Sequence, residues 1–396
     1  MSKINDLIKE LCPNGVTFRK VGEICDVYTG GETPKDLIKE KSPKDDYIYP
    51  IYSNGIGENA LYGYSKTYRI EEDAVTFSSI GTLGHPEIRK GKFTPIIRLK
   101  VLVPKDSRQL IIGYLKYALE TAEFDNNKSS LPNLNANMLK NIVIPIPPLK
   151  VQEEISRILD KFGELEAELE AELEARKSQY EFWRGNLFKQ DIDKMVTLES
   201  IGDVTKLAGF EFSEYVNYSD EGSIIALRGL NVKNGHLVLD DVKYVDNSDF
   251  SKLSRSKLFE NDILYTYVGT VGQVGLVDKN DKYYLAPNVA RIRIIDKKVN
   301  PRYVMHFLLT NEFKTSQLDY LSGTSSMKNI TMTNIRKFRI PVPSLEKQNK
   351  IVNILDKFDA LVNDITVGLP AEIKLRRQQY EYYRNKLLNF EELVNG

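Results

Sequence analysis

Two long stretches of the chain place apolar residues at helical spacing. In the first stretch these residues are Ile155, Leu159, Phe162, Leu165, Leu169, Leu173, Tyr180, Trp183 and Leu187. In the second stretch they are Ile351, Leu355, Phe358, Leu361, Ile365, Tyr380, Tyr383 and Leu387. Spacings of three, four and seven residues indicate one apolar face on each helix. Because a lone helix with one apolar face is marginally stable in water, each helix needs a partner.

The pattern leaves two packing arrangements open. Each helix could pack on the globular part of its own half of the chain, or the two helices could pack against each other. We favour an antiparallel pair with a globule near each end, because each helix is longer than its domain is wide. Gly368 and Pro370 are expected to kink or break the second helix.

Short β-type runs lie before each long helix. Runs at 74–80, 95–103, 262–268 and 289–295 are separated by Gly, Asn and Asp turns. Helical patterns at about 107–123 and 301–319 are mixed with these runs. A strand that contains prolines then leads into each long helix. The mixture predicts an α/β or α+β globule in each half.

The chain contains an internal duplication. Residues 144–165 and 340–361 are identical at 12 of 22 positions, against roughly one or two expected by chance. We therefore predict a pseudo-twofold α/β (α+β) tandem repeat, in which two globular domains are separated by a pair of long antiparallel, coiled-coil-like helices. The predicted segments are the first domain at 1–143, its helix at 144–190, the second domain at 191–339 and its helix at 340–396.

Composition and charge indicate a globular protein without a charged tail. The 396 residues include 55 Lys and Arg and 55 Asp and Glu, so bulk charge identifies no partner. Cys12 and Cys25 cannot make a disulfide framework or a cysteine zinc site. No signal core and no apolar stretch of about 18 residues occurs. We expect a cytoplasmic protein that does not enter a membrane.

Catalytic motifs are largely missing. The chain has no GxxxxGK[ST] phosphate loop, and GTLG at 81–84 and GTVG at 269–272 fit turns better than dinucleotide loops. Residues 300–303 (NPRY) differ from the Asn-Pro-Pro-aromatic motif of amino-methyltransferases by one Arg. His85, His236 and His306 are scattered and show no metal-ligand spacing. We expect no catalytic residue and no metal in this chain.

Three motifs lie in or beside the predicted helices. The first is the duplicated stretch IPxPxLxxQxxIxxILDKF, the second is QYEFWR at 179–184 with its counterpart QYEYYR at 379–384, and the third is ELEA three times over at 164–175. Together, between two dissimilar globular parts, they resemble type I restriction-modification specificity subunits. The resemblance implies that each globular part is a target-recognition domain for one half of a split DNA site, and that the helices set the spacer. One ELEA unit adds about 6 Å of helix.

The resemblance also implies partners. Double-stranded DNA, two methylation subunits and restriction subunits are expected, with S-adenosylmethionine, ATP and Mg on those subunits and no cofactor in this chain. Basic and acidic residues nearly balance in each globular part. Phosphate contacts must therefore come from local patches, or the methylation subunits must supply much of the electrostatic affinity.

Candidate DNA-binding residues are those in loops that combine amide, hydroxyl, aromatic and basic side chains. In the first domain they are Tyr52, Ser53, Asn54, Tyr64, Lys66, Arg69, Ser78, Ser79, Thr82, Asn127, Lys128 and Ser129. In the second domain they are Arg228, Asn231, Lys233, Asn234, Tyr265, Tyr267, Thr270, Thr324, Ser325 and Lys328. Any single one of them could equally be a turn-former or a solvated polar residue.

The aromatic helix motif has two interpretations. Its residues are Tyr180, Trp183, Arg184, Tyr380, Tyr383 and Arg384. They could form a core between helices, or an exposed face that binds the methylation subunits, since Arg, Tyr and Trp are common interface anchors.

Two other functions remain open. A tandem-repeat coiled-coil scaffold would join proteins without binding DNA, and a self-sufficient enzyme would methylate DNA without partners. We favour the noncatalytic specificity module.

Overall fold

The computed structural model describes residues 2–78, 86–121, 135–189, 195–207, 214–318, 329–364 and 366–393. The chain forms two compact units. The first comprises Met1–Leu169 and Ile373–Gly396, and the second comprises Glu170–Glu372. No helix within the described ranges is long and apolar enough to cross a membrane.

The first unit contains nine strands and four short helices in its described part. The strands are β1 (Thr17–Lys20), β2 (Cys25–Thr29), β3 (Tyr49–Tyr52), β4 (Leu61–Ser65), β5 (Ala74–Phe77), β6 (Pro86–Arg89), β7 (Thr94–Pro95), β8 (Lys100–Pro104) and β9 (Val143–Ile146). The helices are α1 (Ser2–Leu11), α2 (Val21–Ile24), α3 (Ile112–Glu120) and α4 (Ala136–Asn141). The long helix α5 (Leu149–Leu187) begins in this unit.

The second unit repeats this plan. Its strands are β10 (Met195–Thr197), β11 (Gly202–Lys206), β12 (Ile225–Leu227), β13 (Val232–Lys233), β14 (His236–Leu237), β15 (Lys243–Tyr244), β16 (Ile263–Thr266), β17 (Val274–Leu276), β18 (Tyr283–Leu285), β19 (Val289–Ile294) and β20 (Arg339–Pro341). The helices are α6 (Leu198–Ile201), α7 (Pro301–Leu308), α8 (Asn311–Phe313), α9 (Met332–Arg336) and α10 (Leu345–Asn363). Helix α11 (Leu369–Leu388) begins in this unit, and from Ile373 onward it belongs to the first unit. Single 3₁₀ turns occur at Gly57–Ala60, Gly229–Asn231 and Ser254–Ser256, and a π-turn at Lys314–Leu318.

The described parts of the two units share three sheets of the same topology, and the second unit adds the two-stranded ladder β13-β14. Each unit has an antiparallel four-stranded sheet, in the order β2-β8-β5-β6 or β11-β19-β16-β17. Each also has a three-stranded sheet, β4-β3-β7 or β15-β12-β18, in which the central strand is parallel to one neighbour. A two-stranded ladder, β1-β9 or β10-β20, leads into the long helices. The predicted duplication of a mixed α/β domain is confirmed.

A buried glutamine joins the start of α5 to the first domain. The Gln152 side chain is fully buried, and its Nε2 donates to the carbonyl oxygens of Gln109 and Pro147, each at 2.8 Å. Its Oε1 accepts from the backbone N–H of Ile111 at 2.9 Å. One side chain therefore satisfies three backbone groups where strand, loop and helix meet.

The second domain repeats this arrangement with Gln348. Its Nε2 donates to the carbonyl oxygens of Lys298 at 3.0 Å and Pro343 at 2.9 Å, and its Oε1 accepts from the N–H of Asn300 at 2.8 Å. Gln348 is also fully buried. The identical glutamine in the duplicated sequence stretch thus has an identical structural role.

Each unit also pairs two helical segments. In the first unit the Phe162 ring stacks on that of Tyr383 with centroids 5.5 Å apart, and Glu166 forms an ion pair with Arg377. These contacts run in opposite directions along α5 and α11, so the segments are antiparallel. Ile155 of the same α5 face is buried in the core of its own domain. Both predicted packing arrangements therefore occur together.

The second unit has the corresponding contacts. The Tyr180 ring stacks on that of Phe358 at 6.1 Å, and Ile351 and Leu355 of α10 are buried in the domain core. The predicted break is confirmed, since α10 ends at Asn363 and α11 begins at Leu369. A Cβ on Gly368 would lie 2.5 Å from the Ala360 carbonyl oxygen, so only glycine fits there.

We predict that Gln348→Ala lowers the free energy of unfolding by about 2–4 kcal/mol, because it leaves buried backbone groups without a partner. Urea unfolding of the full chain measures this loss. The matched control is Gln179→Ala at an exposed position of α5, which should change the free energy by less than about 0.5 kcal/mol. Equal losses in the two variants would contradict this role of Gln348.

Candidate nucleic-acid interface

Three strands of the second unit end around one cavity. Strands β12 and β18 are parallel neighbours, so their carboxyl ends meet at the same edge. The residues that follow β12, β16 and β18 line a cavity of about 440 Å³, which we call the strand-end cleft. Its lining includes Arg228, Thr270, Asn288 and Tyr218, together with the exposed Leu230. The cleft thus combines donors, acceptors and an apolar contact.

Arg228 is held in position within the strand-end cleft. Its Nη2 donates to the carboxylate of Asp241 at 2.7 Å and to the carbonyl oxygen of the same residue at 2.9 Å. Its Nε is buried and has no acceptor among the described residues. Such a donor is available to a water or to a ligand atom.

The corresponding strand edge of the first unit follows β3, β5 and β7. There the Asn54 side chain donates to the carbonyl oxygen of Ile97, and the Ser78 hydroxyl donates to the carbonyl oxygen of Asn54 at 3.0 Å. Hydrogen bonds therefore connect the segments that follow these three strands. Asn54 and Ser78, 24 residues apart in sequence, are brought together at this edge.

Other first-domain candidates lie in varied environments. Lys66 is exposed and forms an ion pair with Asp46 at 3.3 Å, and Arg69 is exposed. Tyr64 is half-buried in β4. Ser53 is half-buried, and its hydroxyl lies 3.5 Å from the Ala60 carbonyl oxygen.

Tyr52 is packed within the first domain. The guanidinium of Arg89 lies 4.2 Å from its ring centroid, and the Phe93 ring lies 5.7 Å away on an edge contact. Burial raises the pKa of the Tyr52 phenol, which keeps the hydroxyl as a neutral donor.

Two second-domain candidates are used inside the domain. Tyr265 is fully buried in the hydrophobic core, where its ring contacts Phe338. Asn231 is fully buried, and its side chain donates to the carbonyl oxygens of Val238 and Asp241. We therefore do not retain these two residues as DNA contacts. Tyr267 is largely buried, whereas Thr270 is exposed.

Several candidates lie outside the described residues. They are Ser79, Thr82, Asn127, Lys128, Ser129, Thr324, Ser325 and Lys328. They remain sequence predictions.

Lys233 and Asn234 face a different groove from Arg228, although only a few residues separate them in sequence. They lie in the β13–β14 hairpin, which lines a groove with the α10 residues Asp356, Asp359 and Ala360. The sequence cluster is therefore divided between the strand-end cleft and this hairpin groove.

An ion pair connects the hairpin to α10. His236 Nε2 donates to an Asp359 carboxylate oxygen 2.7 Å away, and this hydrogen bond raises the His236 pKa above its ordinary value of 6.5. The charge of Arg302 lowers the His236 pKa, whereas the charge of Asp364 raises it. Burial alone would raise the Asp359 pKa, but the hydrogen bond from His236 holds it below 3.8.

The near-methyltransferase motif has a structural role. The Asn300 side chain caps α7 by accepting from the N–H of Arg302 at 2.9 Å, and it donates to Asn349 at 2.8 Å. No group of three or more His, Cys, Asp or Glu side chains in the described part of the chain could hold a metal.

Most residues of the aromatic motif make their contacts inside one of the two units. Tyr180 and Arg184 are buried, and Tyr383 stacks on Phe162. Tyr380 and Arg384 both contact Glu120.

Three aromatic side chains of the motif are exposed, and only Trp183 belongs to the set considered for partner binding. Phe182 is 62% exposed, Tyr382 is 60% exposed and Trp183 is 41% exposed. Sequence reasoning missed Phe182 and Tyr382, which occupy the same position of the two copies. Helical phase relative to the buried Tyr180 could have identified them, since residues two apart face different directions.

We predict that His236 makes stability depend on pH. Because folding raises its pKa, the ion pair stabilises the protein fully below about pH 6.5 and is lost as the pH rises through the raised value. The Asp359 carboxylate stabilises the fold above its ordinary pKa of 3.8. This stabilisation is lost as the pH falls through the lowered pKa of the folded state. The His236 side chain is half exposed, so the contribution is at most about 1 kcal/mol.

Urea unfolding at about pH 6 and about pH 8.5 tests this dependence. His236→Gln should reduce the stability difference between the two pH values, whereas Lys233→Gln on the same hairpin should retain it. An unchanged difference in the His236 variant would contradict the assignment.

Comparisons with known proteins agree with the duplicated architecture. The family model described as type I restriction modification DNA specificity domain matches residues 13–175 and 194–375. The EcoR124I/EcoR124II specificity subunit of Escherichia coli is 30% identical and covers 98% of both chains. The MpnII specificity subunit of Mycoplasma pneumoniae is 26% identical over 69% of this chain and 96% of its own.

A solved structure shares the fold. The crystal structure of a type I restriction-modification S subunit from M. genitalium superposes with a TM-score of 0.56 at 16% identity, and the match covers 94% of this chain and 96% of that one. The family model matches both copies of the duplicated domain. The chain therefore belongs to the family of type I restriction-modification DNA specificity proteins.

Proposed function

We propose that this chain is the DNA-specificity subunit of a type I restriction-modification complex. Each α/β domain reads one half of a bipartite double-stranded DNA site. One observation carries the proposal. Both domains of the chain place polar side chains at the corresponding edge, where their strands end. The family match gives no support to the alternative of a tandem-repeat scaffold that never binds DNA.

The proposed readers span 1–143 and 191–339. Within the second reader, Arg228, Thr270, Asn288 and Tyr218 carry the chemistry that base edges require. Arginine pairs with guanine, asparagine pairs with adenine, and a threonine methyl contacts thymine. The exposed residues Lys66 and Arg69 suit phosphates in the first reader.

The long helices set the spacing and bind the partners in this proposal. Helix α5 is continuous from Leu149 to Leu187 and contributes residues to both units. Its ELEA units at 164–175 make its length adjustable in steps of about 6 Å. We propose that helix length fixes the spacer between the half-sites.

The partner-binding proposal extends to two further residues. Exposed aromatic side chains at the same position of both copies suit a partner-binding role, because aromatic residues are common interface anchors. Phe182 and Tyr382, with Trp183, therefore give each copy of the motif an anchor for one methylation subunit, two in total.

Catalysis belongs to other subunits in this proposal. S-adenosylmethionine binds the methylation subunits, ATP and Mg act in the restriction subunits, and the complex acts in the cytoplasm. This chain supplies sequence recognition for adenine-N6 methylation and for ATP-dependent cleavage.

We predict that methylation requires both this chain and its methylation subunits. Co-expression in a host without other methyltransferases, followed by methylome sequencing, should show one bipartite motif. Omitting this chain should abolish the motif. Arg228→Ala should reduce methylation roughly tenfold or relax one position of one half-site.

Methyl transfer by the purified chain alone would contradict the noncatalytic role. Sequence-specific methylation that persists without this chain would contradict the specificity role. Lys279→Ala, an exposed lysine outside the strand-end cleft, is the matched control for Arg228.

We also predict that Phe182→Ala and Tyr382→Ala each weaken binding of the methylation subunits, by at least about 1 kcal/mol, because each removes an exposed aromatic anchor. Titration of labelled complex measures the change. Gln179→Ala, three residues before Phe182, should bind like the parent chain. Unchanged affinity in both aromatic variants would exclude this face as the docking surface.

A further inference from the structure

The turn after β7 contains two adjacent residues in a strained backbone conformation. Ile97 has φ 51° and Arg98 has φ 60°. The described part of the chain has five other non-glycine residues at positive φ, and all five are Asn or Asp. Asn and Asp tolerate the left-handed region, whereas a β-branched residue there is a genuine outlier.

Surrounding backbone enforces this conformation. The N–H groups of Ile97 and Arg98 donate to the carbonyl oxygens of Gly31 and Gly30, each at 3.0 Å, and the N–H of Gly30 donates to Leu99 at 2.7 Å. A Cβ on Gly30 would lie 2.7 Å from the Ile96 carbonyl oxygen. Gly30 thus allows a close approach that holds the turn.

The turn displays both side chains at the surface. Ile97 is 48% exposed, and Arg98 is exposed. Glycine at either position would adopt the same backbone without strain. Strained residues that display exposed side chains are typical of binding sites.

The turn lies at the strand edge that both domains share. The Ile97 carbonyl oxygen accepts from the side chain of Asn54, which Ser78 contacts in turn. In the second domain the corresponding turn after β18 lines the strand-end cleft, and its Asn288 also has a left-handed φ of 70°. Both copies of the duplicated domain therefore display a left-handed turn at this place.

We propose that the Ile97–Arg98 turn contacts the DNA of the first half-site. The inference rests on the proposed function and adds residues to it. The guanidinium of Arg98 donates to acceptors of the DNA, and the Ile97 side chain supplies an apolar contact of the kind that a thymine methyl accepts. The strained backbone fixes the direction in which both side chains project.

The test uses the complete complex of this chain with its methylation subunits. Arg98→Ala should lower affinity for the cognate site roughly tenfold and leave the second half-site unchanged. Loss of discrimination at one position of the first half-site assigns Arg98 to a base edge. An equal loss of affinity for all DNA sequences, with a shallower salt dependence, assigns Arg98 to a phosphate. Affinity and methylome equal to those of the parent complex would overturn the proposal.

The strain has its own test. Ile97→Gly and Ile97→Asn should raise the melting temperature of the chain and lower discrimination within the first half-site. A raised melting temperature with an unaltered methylome would overturn the role of Ile97.

Matched controls separate these outcomes from general effects. Arg108→Ala removes an arginine of the same domain whose side chain is 88% exposed, and Asp45→Gly relieves another left-handed residue. Neither should alter recognition. If the parent complex lacks a bipartite motif, the proposed function itself fails. If the parent shows the motif and Arg98→Ala retains it in full, only the present inference fails.

Discussion

Each domain depends on one buried glutamine at the point where its strands give way to a long helix. Backbone groups at such a junction cannot pair within a strand or a helix, and leaving them buried without a partner is costly. Gln152 and Gln348 each satisfy three such groups with one amide. This constraint explains why the helix starts are the best-preserved parts of the duplication, while the domains around them differ.

Because the glutamine holds the junction, the loops that follow the strands of each domain can vary. In both units the central strand of the three-stranded sheet runs parallel to one neighbour, so loops after different strands converge. At this edge the first domain has an Asn54–Ile97 hydrogen bond, and the second has a cavity around Arg228. One framework thus presents two different surfaces, which suits a chain that addresses two unlike half-sites.

Sequence periodicity was sufficient for the architecture. Apolar spacing placed both long helices, and Gly368 with Pro370 located the break between α10 and α11, because backbone constraints act locally. The site was only partly predictable. Loop composition selected Arg228 and Asn231 alike, but one lines a cleft and the other closes its own loop, a distinction that only tertiary contacts make. The left-handed Ile97 had no sequence signal, since isoleucine is disfavoured in that conformation.

The most direct test of two independent readers is an exchange of one domain. The segment from β1 to β9 would be replaced by the corresponding segment of a relative with a different target, leaving Gln152 and both long helices in place. Methylome sequencing of a host that carries the hybrid and the methylation subunits should show one new half-site, with the other half-site and the spacer length unchanged. A change in both half-sites, or in neither, would contradict the account.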